Sequence, residues 1–291
     1  MVTEQLKFDA IGTAWVIDVE LPNTLSADAV LQKVEQCIGQ YDKVYSRFRP
    51  DSVVSALAAR PGEQHMPENA QDLLQLYHRM YRLTDGAFTP LIGNTLVDAG
   101  YDALYSLRPG ELRVPPKWDD VIAYSHPVLE LRESAILDFG AAGKGHLVDE
   151  VATLLSGMGV LSYTVDAGGD IRHFSPNGKR LRVGLEHPGL DSQVIGVAEI
   201  GNAAVCCSAG NRRAWTGFHH IIDPRTLSSP SQILSCWVVA ETTLLADAVA
   251  TALFLVSPET LVAELDFQYC ILYPDFSCQK SSSFEAELYV S

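Results

Sequence analysis

From Ser162 to Glu241 short strand-like runs dominate the sequence, and this stretch most limits what the chain can fold into. "SYTVDAGGDIRHF" (162–174) is followed by the turn "SPNGK" (175–179) and by "RLRVGLEHP" (180–188). "VIGVAEIGNAAVCCSAG" (194–210), "FHHIIDPRT" (218–226) and "ILSCWVVAE" (233–241) come next. Strands joined by tight turns pair antiparallel, because a parallel pair needs a crossover of about a dozen residues or more. The region therefore reads as antiparallel sheet.

Helical spacing brackets it. "AIGTAWVIDVELP" (10–22) reads as one strand, and "SADAVLQKVEQCIGQYDKVYSRF" (26–48) as an amphipathic helix capped by Ser26. "NAQDLLQLYHRMYRLTDG" (69–86) is a second helix stopped at Asp85-Gly86, followed by a loop and short helix over 87–103. An irregular proline-bearing region spans roughly 108–120, and "VIAYSHPVLELRESAILDFG" (121–140) alternates like paired strands. "KGHLVDEVATLLSGMG" (144–159) and "TLLADAVATALFLVS" (243–257) are further helices, and "YCILYPD" and "SFEAELYV" are strand-like. The class expected is α+β (mixed α/β), with largely antiparallel sheets and packed helices. No repeat or linker divides residues 1–291, so one domain is expected.

The net charge of −15 argues against a broad basic nucleic-acid-binding face. Six cysteines without a C-x-x-C pair suggest free thiols in a reducing compartment. Neither a signal peptide or lipobox nor an apolar run of about 18 residues is readable, so a cytoplasmic protein without a membrane span is expected.

Four stretches hold more chemistry than a core requires. "LDFGAAGKGHLVD" (137–149) sets Lys144 in a small-residue turn before a helix, which is either a solvated connection or an anion site. Neither common phosphate fingerprint fits it. "VDAGGDIR" flanks Gly168-Gly169 with Asp166 and Asp170, as a tight turn or a ligand contact. "HHIIDPRT" holds His219, His220, Asp223 and Arg225; strand alternation puts His220 and Ile222 on one face and His219 on the other. "LLADAVATALFL" sets Asp247 and Thr251 at i and i+4 in an apolar helix. A carboxylate there needs a partner, and carboxylate plus hydroxyl suits Mg²⁺. Together these parts suggest phosphate or pyrophosphate chemistry of a nucleotide type.

The ordered set "AIGTAW", "YSRFRPDS", "TDGAFTPLIG", "LDFGAAGKGHLVDEVA", "VDAGGDIR", "CSAGNRRAW", "HHIIDPRT" and "LADAVATALF" resembles the ApbE family of FAD:protein FMN transferases. The resemblance runs in order from about residue 10 to 256. It implies an ApbE-like fold that uses FAD as substrate with Mg²⁺ or another divalent cation. The implied reaction moves FMN onto a Thr or Ser of an acceptor flavoprotein and releases AMP. By position, Asp247 and Thr251 match the family's metal ligands, with the backbone carbonyl of Ala141. Ile11, Phe48, Ala87, Phe88, Thr89, Asp138, Lys144 and Ile222 match flavin-nucleotide contacts. His220 matches the histidine beside the reacting phosphate, in proton transfer or phosphate stabilisation, so His220 and Asp247 are the catalytic pair expected.

The chain departs from the family pattern at Ile11 (usually Met), at Thr89 (usually Asp), at Cys207–Asn211, at Leu227 and in "SVVSALA". Two alternatives stay open at this point: an FAD pyrophosphatase, and a non-catalytic protein that binds or stores FAD.

Overall fold

The computed structural model describes residues 2–190 and 192–289. Chain order begins with strands β1 (Val2–Ala10) and β2 (Thr13–Leu21), helices α1 (Ala27–Tyr45) and α2 (Val53–Ala59), strand β3 (Gly62–His65) and helix α3 (Ala70–Leu83). A 3₁₀ turn over Pro90–Ile92 leads into α4 (Gly93–Asp98) and α5 (Trp118–Val121), then β4 (Ile122–Ser125), β5 (Val128–Leu131), α6 (Gly143–Gly157) and β6 (Ser162–Ala167). Strands β7 (Ile171–Phe174), β8 (Leu181–Glu186), β9 (Val194–Ile200), β10 (Ala204–Ala209), β11 (Ala214–Trp215), β12 (Phe218–His219) and β13 (Ser235–Ala240) follow. Helices α7 (Thr243–Ala252) and α8 (Pro258–Val262) and strands β14 (Gln268–Leu272), β15 (Cys278–Lys280) and β16 (Ala286–Leu288) complete the order.

The main sheet has eight strands in the order β1-β2-β6-β7-β10-β13-β14-β15. Every ladder among the described strands is antiparallel, as the tight turns require. Two smaller three-stranded sheets are β16-β9-β8 and β3-β5-β4, and β11-β12 is a short ribbon. The fold class is thus α+β, as the sequence pattern indicates.

Strand β13 is buried at every position, which its unbroken apolar run requires of a strand covered on both faces. Cys236 and Val238 join the core beneath helices α6 and α7, whereas Trp237 and Val239 join a second core shared with β8, β9 and Phe284. Strand β10 divides likewise, with Ala204 and Cys206 on the helical side and Val205 on the other. Helices therefore cover one face of the main sheet, and the β16-β9-β8 sheet covers part of the opposite face.

Three expectations are corrected. The N-terminal strand is a hairpin, β1 pairing with β2 through a turn at Ile11-Gly12 in which both residues have positive φ (47° and 76°). "VIGVAEIGNAAVCCSAG" is two strands in different sheets, because the chain changes layer at Gly201–Ala203. In "HHIIDPRT" the ladder ends at His219. Asp223 accepts the Arg225 N–H at 2.9 Å, grips the Arg225 guanidinium and bridges to Ser228, so beyond His219 the chain makes a side-chain-closed turn with a single bridge and the predicted alternation of faces lapses. All six cysteines are free thiols.

Candidate functional site

Helices α6 and α7 meet where the small-residue turn ends. A Cβ on Gly145 would stand 2.3 Å from the Thr243 carbonyl oxygen and 2.7 Å from Asp247 Cβ, so only glycine permits this crossing. The closeness lets the Gly145 N–H donate to Asp247 Oδ2 at 2.8 Å. The exchange is reciprocal: Asp149 of α6 accepts from the Thr243 and Leu244 N–H groups at 3.0 and 2.8 Å, capping α7. Each helix thus lends a carboxylate to the first turn of the other, where the helix dipole favours negative charge.

Asp247 is 6% exposed. Burial, and next the charge of Asp170, push its pKa well above the ordinary carboxylate value, while Lys144, the Gly145 N–H and Arg213 pull it down. Lys144 stands between the two carboxylates. Its Nζ lies 2.8 Å from Asp170 Oδ2 and donates to the Ala167 carbonyl at 3.1 Å. Burial opposes the ammonium charge, but Asp170 and Asp247 outweigh it and raise the Lys144 pKa. Asp170 is 1% exposed, and neither of its oxygens accepts a well-aligned hydrogen bond, so the contact is one of charge.

"VDAGGDIR" makes this arrangement possible. Gly168 and Gly169, at φ 64° and 99°, close the β6–β7 hairpin, so that Ala167 and Asp170 both face Lys144. A Cβ on Gly168 would collide with Thr13 Oγ1 at 2.0 Å, because the β1–β2 hairpin packs here. Of the two expected alternatives, the structure shows the tight turn. Ile11 sits at the tip of that neighbouring hairpin, 38% exposed.

Asp138 is held by Arg47, a residue of "YSRFRPDS" with no role expected from the sequence. The Arg47 Nε bonds Asp138 Oδ2, and Arg47 Nη2 donates to the Tyr101 carbonyl at 2.9 Å. The Gly140 N–H donates to Asp138 Oδ1 at 2.7 Å. The segment before the turn is extended but unpaired in any ladder; the Asp138 N–H reaches the Pro90 carbonyl instead, at 2.7 Å. The Arg47 guanidinium also stacks on Phe48, 4.2 Å from the ring centroid. Phe48 and Ile222, matched separately in the sequence, meet in one small cluster with Tyr101 and Trp215.

His220 Nδ1 is buried and has no hydrogen-bond partner. Burial first, then the charges of Arg213, His219 and Lys144, lower the His220 pKa to about 3, so the ring is neutral at neutral pH. His219 is committed elsewhere, its Nε2 lying 2.8 Å from the Pro230 carbonyl. Ala87, Phe88 and Thr89 are buried: Phe88 packs on Tyr77 with centroids 5.0 Å apart, and Thr89 Oγ1 accepts from the Leu91 N–H.

Asp247 and Thr251 are one helical turn apart on α7. Ala141 lies in the turn that opens α6, on which Asp247 also rests. Asp247 is a buried carboxylate with a single protein hydrogen bond, and carboxylate, hydroxyl and carbonyl oxygens are the kinds of donor that Mg²⁺ takes. Among the described residues no three His, Cys, Asp or Glu side chains gather as a metal cluster. The fully buried Tyr77 hydroxyl also lacks a well-aligned hydrogen bond; burial, and next the charges of Asp138 and Asp247, raise its pKa, while the Ala141 and Ala142 N–H groups pull it down.

The sequence pattern of the ApbE family matches residues 11–270. The chain belongs to the ApbE family. A Treponema pallidum relative named FAD:protein FMN transferase is 27% identical over 268 residues, covering 81% of this chain and 74% of its own. The ApbE protein of Thermotoga maritima superposes with a TM-score of 0.84 at 23% identity, covering 98% of this chain and 100% of its own. The flavin transferase ApbE of Vibrio cholerae gives 0.80 at 21% identity, covering 97% and 99%. These likenesses show that the chain has the ApbE fold. No helix among the described residues is long and apolar enough to cross a membrane.

Proposed function

We propose that this chain is an FAD:protein FMN transferase that works as a single catalytic unit over residues 1–291. It attaches FMN through a phosphoester to a Thr or Ser of an acceptor flavoprotein and releases AMP. The observation that carries the reading is the buried, unpartnered His220 Nδ1 together with Lys144, held 2.8 Å from Asp170 on the first turn of α6, where Asp247 accepts the Gly145 N–H; the charges of Lys144 and Arg213 act on both His220 and Asp247. Two cations, a helix N-terminus and a free imidazole nitrogen are the parts that pyrophosphate cleavage needs. Asp247, Thr251 and the Ala141 carbonyl would hold Mg²⁺, which when bound neutralises pyrophosphate charge.

In this scheme the Lys144 ammonium and the Arg213 guanidinium orient the pyrophosphate. Arg47 fixes Asp138 against the nucleotide, while Phe48 and Ile222 offer apolar surface to its ring. The acceptor hydroxyl oxygen attacks the phosphorus on the FMN side as the bond to the AMP oxygen breaks. His220 Nδ1 takes the hydroxyl proton. Its pKa of about 3 reflects burial first and then the neighbouring cations. Bound phosphate charge raises it toward the range of a working base. Six free thiols fit the reducing cytoplasm.

The test is incubation with FAD and Mg²⁺, with and without a hydroxyl acceptor, followed by chromatography for AMP and FMN. AMP that appears together with flavin-labelled acceptor supports the transferase. AMP with free FMN in equal amount whether or not acceptor is present makes the chain a pyrophosphatase, and bound FAD without AMP makes it a storage protein.

A further inference from the structure

The Gly168–Gly169 turn has a second side. Beyond it, on the face of the main sheet away from α6 and α7, lies a cleft of about 430 Å³ between β2 and β6 on one wall and β8 on the other. Its floor mixes apolar side chains such as Val16 and Val183 with the carboxylates of Asp18 and Asp166. Arg212 closes the end nearest the turn: its guanidinium pairs with Glu186 of β8 and donates to the Gly168 carbonyl at 3.2 Å. The same turn that orders Lys144 from one side is thus a wall of this cleft on the other.

Strand β8 forms a ladder only with β9 among the described strands, and its other edge borders the cleft. An unpaired strand edge beside a half-polar cavity is suited to take an extended segment as an added strand. Backbone hydrogen bonds supply affinity there without reading much sequence. A transferase that modifies a side-chain hydroxyl on another protein needs such a seat next to its phosphate site, because the hydroxyl must arrive on a fixed backbone.

We propose that this cleft binds the acceptor: an extended Thr- or Ser-bearing segment pairs along the free edge of β8 and delivers its hydroxyl past the Gly168–Gly169 turn. The assignment rests on the transferase reading above. Arg212 then serves as the boundary post between acceptor backbone and nucleotide. Asp18 and its cross-strand partner Thr164 line the far part of the cleft, away from the phosphate groups.

The test uses the full chain with FAD, Mg²⁺ and a pool of blocked nine-residue peptides carrying one central threonine with randomised flanks. Asp18→Trp, which fills the cleft from β2, should lower flavin labelling of the pool at least tenfold. FAD affinity and water-driven AMP release should stay within twofold of the parent. Labelling unchanged in a folded Asp18→Trp chain overturns the proposal. A photoreactive benzoylphenylalanine placed at position 18 gives an independent readout: it should capture pool peptides, and hydrogen exchange should slow across residues 181–186. Absence of capture, or protection confined to other strands, also overturns it. If the parent chain binds no FAD, the transferase reading fails, while peptide capture at position 18 still decides whether the cleft is an acceptor seat.

Discussion

The Gly145 amide donates to the Asp247 carboxylate at 2.8 Å across a helix crossing so close that a Cβ on Gly145 would lie 2.3 Å from the Thr243 carbonyl. Gly145→Ala therefore forces two helices apart. It should cost about 2–3 kcal/mol, the upper part of the range for overpacking a core, and show as a lower urea midpoint at unchanged m-value. An alanine variant as stable as the parent would mean that the crossing is looser than described.

Asp247 carries the opposite trade. Burial and Asp170 already disfavour its charge, so Asp247→Asn removes an unfavourable buried carboxylate while keeping the shape. Thermal stability should hold or rise, and AMP release should fall by about a thousandfold or more, as functional groups held against their own stability do. Metal titration followed by calorimetry should lose its heat in the same variant.

Arg47 and Asp138 are both nearly buried, with side chains 4% and 10% exposed. Breaking a buried pair by removing one partner costs about 3–5 kcal/mol, since the survivor keeps its charge without compensation. Arg47→Met should be destabilising on that scale by chemical denaturation. Arg47→Met with Asp138→Asn should recover part of the loss, measured as a double-mutant cycle.

His146 is 3% exposed, and burial lowers its pKa from 6.5 to about 4. The folded state therefore holds this ring neutral while the unfolded chain protonates it near 6.5. The stabilising contribution is complete above pH 6.5 and is lost as pH falls through that value toward 4. The difference is on the order of 3 kcal/mol. His220, lowered to about 3, acts in the same direction. His146→Asn should flatten the stability profile between pH 6.5 and 4; an unchanged slope would assign the acid sensitivity elsewhere.

Local pattern carried much of this fold. Turn residues between short alternating runs led to the antiparallel sheet, and the unbroken apolar run of β13 matched burial on both faces. The change of sheet inside residues 194–210 was invisible, because β9 and β10 are both short apolar-rich runs whose sheets are set by long-range partners. The alternation read into His219 and His220 failed because the β11–β12 ladder already stops at His219, before the turn that Asp223 closes on Arg225. Lys144 and Asp247 were legible as charges in settings that do not tolerate charge idly. Arg47 was not legible, because its partner Asp138 lies 91 residues away and nothing local marks it. The orphan hydroxyl of Tyr77 was hidden for the same reason, inside a helix whose apolar face looks like ordinary core.

The most direct measurement of the central claim is intact-mass spectrometry of a Thr- or Ser-bearing acceptor incubated with the chain, FAD and Mg²⁺, with AMP quantified in the same sample. The account predicts an acceptor heavier by one FMN phosphoester and one AMP per transfer, both absent with Asp247→Asn or His220→Ala. AMP formed without any mass gain on the acceptor, or a full mass gain with the Asp247→Asn chain, would contradict it.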